Sequence, residues 1–480
     1  MKNIYSMKRI VLFIVALVAM IGADSASAQS RTSYFMEGSY FRTDLNPALA
    51  PTRGYIALPG ISGVGLDIPN NFLSVDNFIY QKDGQMVTAL HKSVSSDEFL
   101  GKLPELGRLG VNANVNVLGL GFYARKSYWN LGLRVRSTTD INLSKDLFTV
   151  LKTLENGNYG LDGTGVNSNS YLETYLGVSF PVGKHVNIGL RGKFLVGVAN
   201  IHTEFDNVAL GVNPDMVTAT LRGRVVANSV LIDQAKIEPG APLGTDMLMY
   251  NDPMAMLKNA KSFGAALDLG VEVKVCHDHL KISAAVTDLG FIKWDASTNY
   301  AAKAAYDLSF EGYDVDAQEL KFKFDDELVT DTPSSESYIS KLNGALNVGV
   351  EYNFLRNHFA IGVMSHTELY DEKFYTELTA SFNIRATNWL SATVSHTFLA
   401  NHKLGVLGAA INIHPRALNI FIGADFIDTQ YGKFKNIPIP RYQNAVNLYV
   451  GVGFNFARPK FIRQAEREER HERREARRMN

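Results

Sequence analysis

The ionisable residues that could do chemistry recur at even spacing. Arg134 and Arg136, Arg191 and Lys193, and Asp268 and Glu272 sit inside runs that are otherwise apolar or small, and Glu173, Glu351, Glu377 and Asp425 hold matching positions in other runs. In a strand, residues two apart point to one face. Basic and acidic groups on one face can pair into a network that fills and stiffens an interior, the reading favoured here. They can also line a polar conduction path, because charged rings set pore selectivity. Catalytic arrangements are missing: there is no phosphate loop, CxxC pair, HExxH or Gly-x-Ser-x-Gly. Ser365-His366 and Ser395-His396 are strand neighbours, so hydroxyl and imidazole point oppositely and cannot act as nucleophile and base. Cys276-His277-Asp278-His279 falls in a tight turn, where adjacent side chains diverge. No enzyme, cofactor or metal is expected. Ser-His-Thr recurs at 365–367 and 395–397, about one hairpin apart. Repeated hairpin architecture explains the echo; the alternative is that His366 and His396 meet at a rim and bind something.

The elements that position these groups have a period of two. In the stretch 444–459, Val446, Leu448, Val450, Val452, Phe454 and Phe456 alternate with Asn447, Tyr449, Gly451, Gly453 and Asn455. The same alternation runs through 263–275, 342–354, 374–384, 186–198 and 418–426. A soluble sandwich alternates too. These segments, however, run about 10 to 14 residues, against about five or six in soluble sheets. Their polar face is crowded with Gly, Asn and charges of both signs, and their connections alternate short and long. Tight turns fall at 125–126, 182–185, 276–279, 356–358, 385–388 and 415–416; long connections cover about 67–109, 144–170, 207–262, 292–341 and 428–442. Short turns at one end and long loops at the other mark an outer-membrane β-barrel.

Strands are expected at about 53–66, 109–124, 127–143, 170–181, 185–206, 262–276, 279–291, 341–354, 357–369, 373–385, 388–399, 403–414, 417–427 and 444–456. That is about fourteen, an even number, as a closed bacterial barrel requires. Closure leaves no edge and pairs every backbone N–H without water. Strand two changes phase, which predicts a bulge near Val117-Leu118. The stretch 216–232 reads as a loop hairpin, or else as an extra pair of staves. The apolar face of 446–456 is expected to meet lipid, with Phe456 at the periplasmic interface, where aromatics are favoured. Both termini are then periplasmic.

The export signals agree. Ile10–Ala23 is a short apolar run after Lys2, Lys8 and Arg9 and before Ala26-Ser27-Ala28. This reads as a signal peptide over residues 1–28. It is shorter than the roughly 20 residues of a spanning helix. The chain of 480 residues carries no net charge, which excludes a nucleic-acid binder built on bulk positive charge. Cys276 is the single cysteine, so no disulfide staples the fold.

Arg42 to Pro51 carries two prolines and no alternation, which rules out a stave. Within it, Asn46-Pro47-Ala48 after an exported N-terminus, followed by the fourteen-strand pattern and by 263–270 and 286–294, resembles the FadL and PorV-like barrel superfamily, and within it a Bacteroidota group of outer-membrane proteins. The resemblance implies that residues 29–52 form a hatch or plug inside a barrel spanning 53–457, through which hydrophobic small molecules pass. It also implies that Phe456 belongs to a C-terminal signal read by the barrel assembly machinery. Two loops look helical: 144–157, with a Ser N-cap and a Gly stop, and one beginning at Asn251-Asp252-Pro253. Met247, Met249, Met254 and Met256 cluster in the second. They pack the loop on the rim, or else form a first landing site for a greasy ligand, since Met adapts to varied apolar partners. The tail 458–480 has Glu466/Arg470 and Glu469/Arg473 four apart, which suits an exposed charged periplasmic helix; its alternative role is docking a periplasmic partner. The expected protein is an all-β transmembrane antiparallel barrel in outer-membrane lipid, passing small hydrophobic compounds or else serving as a non-transporting surface platform.

Overall fold

The structure is a computed structural model. It describes residues 31–59, 62–82, 84–153, 155–213, 216–230, 260–275, 279–314, 319–324, 337–355, 357–370, 373–399, 405–427, 431–434, 437–440, 446–456, 459 and 461–462. Residues 1–30, with the expected signal peptide, residues 276–278, the methionine cluster and the tail beyond Ile462 lie outside the described residues.

Fourteen antiparallel staves close on themselves. The first, β1, has two segments, Tyr55–Ala57 and Val64–Ile68. There follow β2 Leu106–Ala124, β3 Ser127–Ser144, β4 Gly165–Val182, β5 Val186–Asn213, β6 Phe263–Val275 and β7 Leu280–Trp294. The rest are β8 Gly344–Phe354, β9 Phe359–Tyr370, β10 Lys373–Thr387, β11 Leu390–Leu399, β12 Val406–Ile413, β13 Leu418–Ile427 and β14 Val446–Asn455. Closure is at β1: Ile56 pairs with Leu120 on one side and Phe454 on the other, and Val64 with Val115 and Val450.

The alternation sorts the side chains as a membrane barrel requires. On β14, Leu448, Val450 and Phe454 are 50, 46 and 41 % exposed, whereas Asn447 and Tyr449 between them are 0 and 5 % exposed. Polar groups are thus buried and large apolar ones lie outside, the reverse of a soluble protein. Phe354, Phe359 and Phe382 cluster on the outer face near the tight-turn end, with centroids 5.8 to 6.4 Å apart, and exposed Trp389 lies in one of the turns. Such a girdle suits a membrane interface. No helix among the described residues is long and apolar enough to cross a membrane. The chain is an outer-membrane β-barrel. An arginine in place of Val450, midway along β14, is expected to cost about 2–4 kcal/mol in unfolding from bilayers. A change below about 1 kcal/mol would show that this face is not in lipid.

Three departures from strict alternation stand out. The predicted bulge in β2 is present, as a register shift between Asn116 and Leu118. The predicted stave 53–66 is interrupted: the ladder stops at Ala57 and resumes at Val64. The stretch after residue 215 is not an extra pair of staves. β5 is 28 residues long, far beyond the roughly 9–11 needed to span. Its outer half pairs with Met216–Ser229, which in turn pairs with Asn299–Asp314, so the sheet continues as a wall outside the membrane.

The connection between β1 and β2 is folded. Ser74 and Ser95 cap short helices through their hydroxyls, which satisfies N–H groups a helix start leaves free. Phe72, Tyr80, Val94, Phe99 and Leu103 form a separate core, closed by Phe148 of the helix Lys145–Thr153. Lys82 Nζ donates to both Glu98 carboxylate oxygens at 2.8 and 3.0 Å, which holds that carboxyl below the usual carboxylate range. Lys152 Nζ ties the second loop to the first through the carbonyls of Ala89 and His91, at 2.8 and 2.9 Å.

Candidate functional site

Residues 31–52 occupy the lumen. The segment has few backbone bonds of its own beyond turns, so its polar groups need partners from the wall. The wall supplies them. The N–H groups of Arg31 and Thr32 donate to Asp425 at 3.0 and 3.3 Å. The Arg31 guanidinium meets Glu377 at 2.6 Å and Asp67 at 3.5 Å. Arg385 donates to the Phe35 carbonyl at 3.1 Å, Asn419 to that of Gly38 at 3.0 Å and Asn347 to that of Leu45 at 2.8 Å.

Asn46-Pro47-Ala48 lies against β5, β6 and β7. Asn46 Oδ1 accepts from Ala48 N at 2.9 Å, and Asn46 Nδ2 reaches the carbonyls of Val271 and Ala284 at 3.4 and 3.3 Å. Ser179 Oγ donates to the Ala48 carbonyl at 3.2 Å, and Asn187 joins it there. Two glycines make the approach achievable. Gly189 and Gly270 are direct cross-strand partners. A Cβ on Gly189 would stand 2.1 Å from Ala48 N and the Pro47 carbonyl carbon, and one on Gly270 2.1 Å from Asn46 Oδ1.

The charged residues singled out from the sequence all face the lumen, in separate groups. Arg134, Arg136, Arg191 and Lys193 come together with Glu173 and Asp268. The group is completed by Asp44, at 2.9 Å from Arg134 and 2.8 Å from Arg191, and by Asp288, at 2.7 Å from Arg136 and 2.6 Å from Lys193. Four cations thus meet four carboxylates, nearly all shielded from water. The rings of Tyr175 and Tyr171 lie under three of the cations. Glu351 belongs elsewhere, with Arg385, Lys281 and Glu37. Glu377 and Asp425 surround Arg31, and Glu272 lies 4.0 Å from Lys274. A further group, Arg108 with Asp140 and Glu368 at 2.7 and 3.0 Å, escaped the sequence reading.

Asp288 escaped it for a definite reason. β6 and β7 shift register between Leu267 and Leu269, and Asp288 has φ 58. Thr287 and Asp288 are consequently both buried, whereas a strict period of two would send Asp288 into lipid. His366 and His396 do not meet. His366 is buried in the lumen against Asn347 Oδ1 at 2.6 Å, while His396 lies on the other parity beside Phe398.

Beside the break in β1 runs an aromatic strip. Tyr40 stacks on Tyr55 at 4.1 Å and on Phe41 at 4.3 Å, Phe41 lies 5.2 Å from Phe421, and Phe421 stacks on Tyr449 at 5.1 Å. Tyr40 OH donates to the Ser62 carbonyl at 2.7 Å. The inner segment therefore presses two rings against the point where the wall ladder is interrupted.

Among solved structures, the chain is similar to a Ralstonia pickettii toluene transporter, TbuX, at 6 % identity and TM-score 0.40, covering 88 % of this chain and 95 % of that one. It is similar to the Pseudomonas putida toluene transporter TodX at 9 % and 0.36, covering 90 % and 95 %. A Pseudomonas aeruginosa FadL homologue is similar at 9 % and 0.38, covering 90 % and 96 %. No curated protein matches. The model of a family of unknown function, DUF5723, matches residues 47–425, most of the chain, and the protein belongs to that family.

Proposed function

We propose that this barrel is a channel for small hydrophobic compounds, closed at rest by the segment 31–52 acting as a plug. The observation that carries the reading is the interrupted first stave. Between Ala57 and Val64 the described residues carry no strand pairing, and β2 bulges opposite. Leu58 faces outward there, 42 % exposed, while Tyr40 and Phe41 cover the inner side. An apolar solute following the aromatic strip would avoid the charged groups and reach lipid sideways through this gap. The lumen charges act in this reading as a fixed polar wall that holds the plug, through Asp44 and Glu37, rather than as a conduction path.

Deleting residues 31–52 and measuring uptake of a hydrophobic fluorescent probe into proteoliposomes tests the proposal. Uptake is expected to rise several-fold. Unchanged uptake would remove the transport reading. A second reading, a non-transporting surface platform, has one observation in its favour: the separately cored cap formed by residues 69–105 and the helix Lys145–Thr153. A barrel that is tight to the probe with and without the plug would support it.

A further inference from the structure

The periplasmic mouth contains a vestibule of about 340 Å³ between the inner segment and the turns at Arg125–Lys126 and Gly183–His185. Two of its donors are unusual. Arg42 is 4 % exposed, and its guanidinium Nε is buried without a hydrogen-bond partner among the described residues. Tyr128 is fully buried, and its hydroxyl has no partner either. A buried donor left without an acceptor is destabilising, more so when charged. Both residues line the same space.

The charge around them has one sign. Arg42, Lys126, Lys184, Lys274 and Lys281 line the vestibule against two carboxylates, Glu37 and Glu272. Both carboxylates are engaged: Glu37 by Lys281 and Arg385, Glu272 by Lys274 at 4.0 Å. That leaves an excess of three positive charges. Leu49, Tyr123, Pro181, Val186 and Phe461 supply apolar wall.

We propose that this vestibule is a binding site for a small organic oxyanion, a carboxylate or a phosphate, whose oxygens accept from Arg42 and Tyr128 and whose apolar remainder lies on Leu49 and Phe461. Arginine suits the role because its planar fork meets two oxygens at once. The lysines at the rim raise the local concentration of anions, an effect that weakens with salt. The site does not rest on the channel reading, because occupancy is measured without flux.

The test uses the full barrel in nanodiscs, titrated with hexanoate, hexyl phosphate and hexanol by calorimetry at low salt. At least one of the two anions is expected to bind ten-fold or more tighter than hexanol, and the one that does so identifies the source of the oxyanion. Arg42→Gln is expected to weaken that anion at least ten-fold. Tyr128→Phe, on the wall and independent of the seating of the inner segment, is expected to weaken it about three-fold or more. Folding of each variant is checked by heat-modifiable electrophoretic mobility. Hexanol binding as tightly as both anions, or wild-type affinity in both variants, would overturn the proposal.

Discussion

Gly189→Leu opens the lumen, and planar-bilayer recordings are expected to show a mean current at least ten-fold above the unaltered barrel. The new Cβ would overlap Ala48 N and the Pro47 carbonyl carbon, both backbone atoms with no freedom to rotate aside. Overpacking of this kind costs about 1–3 kcal/mol when the surroundings can adjust. Two partners could yield. The wall at Gly189 is held by continuous ladders to β4 and β6. The inner segment is held by side-chain contacts and turns. The segment is the weaker partner and moves. Gly192→Leu is the control: it sits on the same stave, faces outward and meets nothing within 4 Å. Equal currents from the two variants would mean that Asn46-Pro47-Ala48 does not close this barrel.

Asp288→Ala should give the largest loss of stability. Its carboxylate takes two bonds from Arg136, at 2.7 and 3.1 Å, and one from Lys193 at 2.6 Å. Removal leaves two buried cations sharing what remains of Glu173 and Asp268. Breaking a buried pair in this way costs about 3–5 kcal/mol, because the surviving charge has no water to return to. The positive φ adds strain for alanine, whereas asparagine tolerates that region. Asp288→Asn should therefore fall between wild type and alanine in denaturant unfolding from bilayers. A loss under about 1 kcal/mol for alanine would show that the lumen charges are interchangeable.

The wall of this protein was legible in its sequence because lipid and lumen impose a period of two that few other environments sustain over a dozen residues. Leu448, Val450 and Phe454 could be assigned to one face before any coordinate was known. What was not legible follows from places where the period breaks. Asp288 shifts parity in β7, whereas the gap after Ala57 adds residues yet leaves Tyr55, Ala57, Gly65 and Asp67 on one face, and parity carries no record of how many intervene. Arg42, Arg31 and Asp44 lie in a stretch without periodicity at all. Their placement is set by contacts with strands up to several hundred residues away, such as Thr32 with Asp425, and no local pattern encodes such distances.

The anchoring of Arg31 to Asp425 has a consequence for biogenesis. Asp425 lies in the penultimate stave, and the seam between β1 and β14 is fastened by residues 446–455. A cylinder already hooped shut could not admit a chain bearing Tyr34, Phe35, Arg42 and Leu45 through a bore those same side chains fill. The inner segment is therefore in place before the seam closes, and the last staves are laid around it rather than threaded by it.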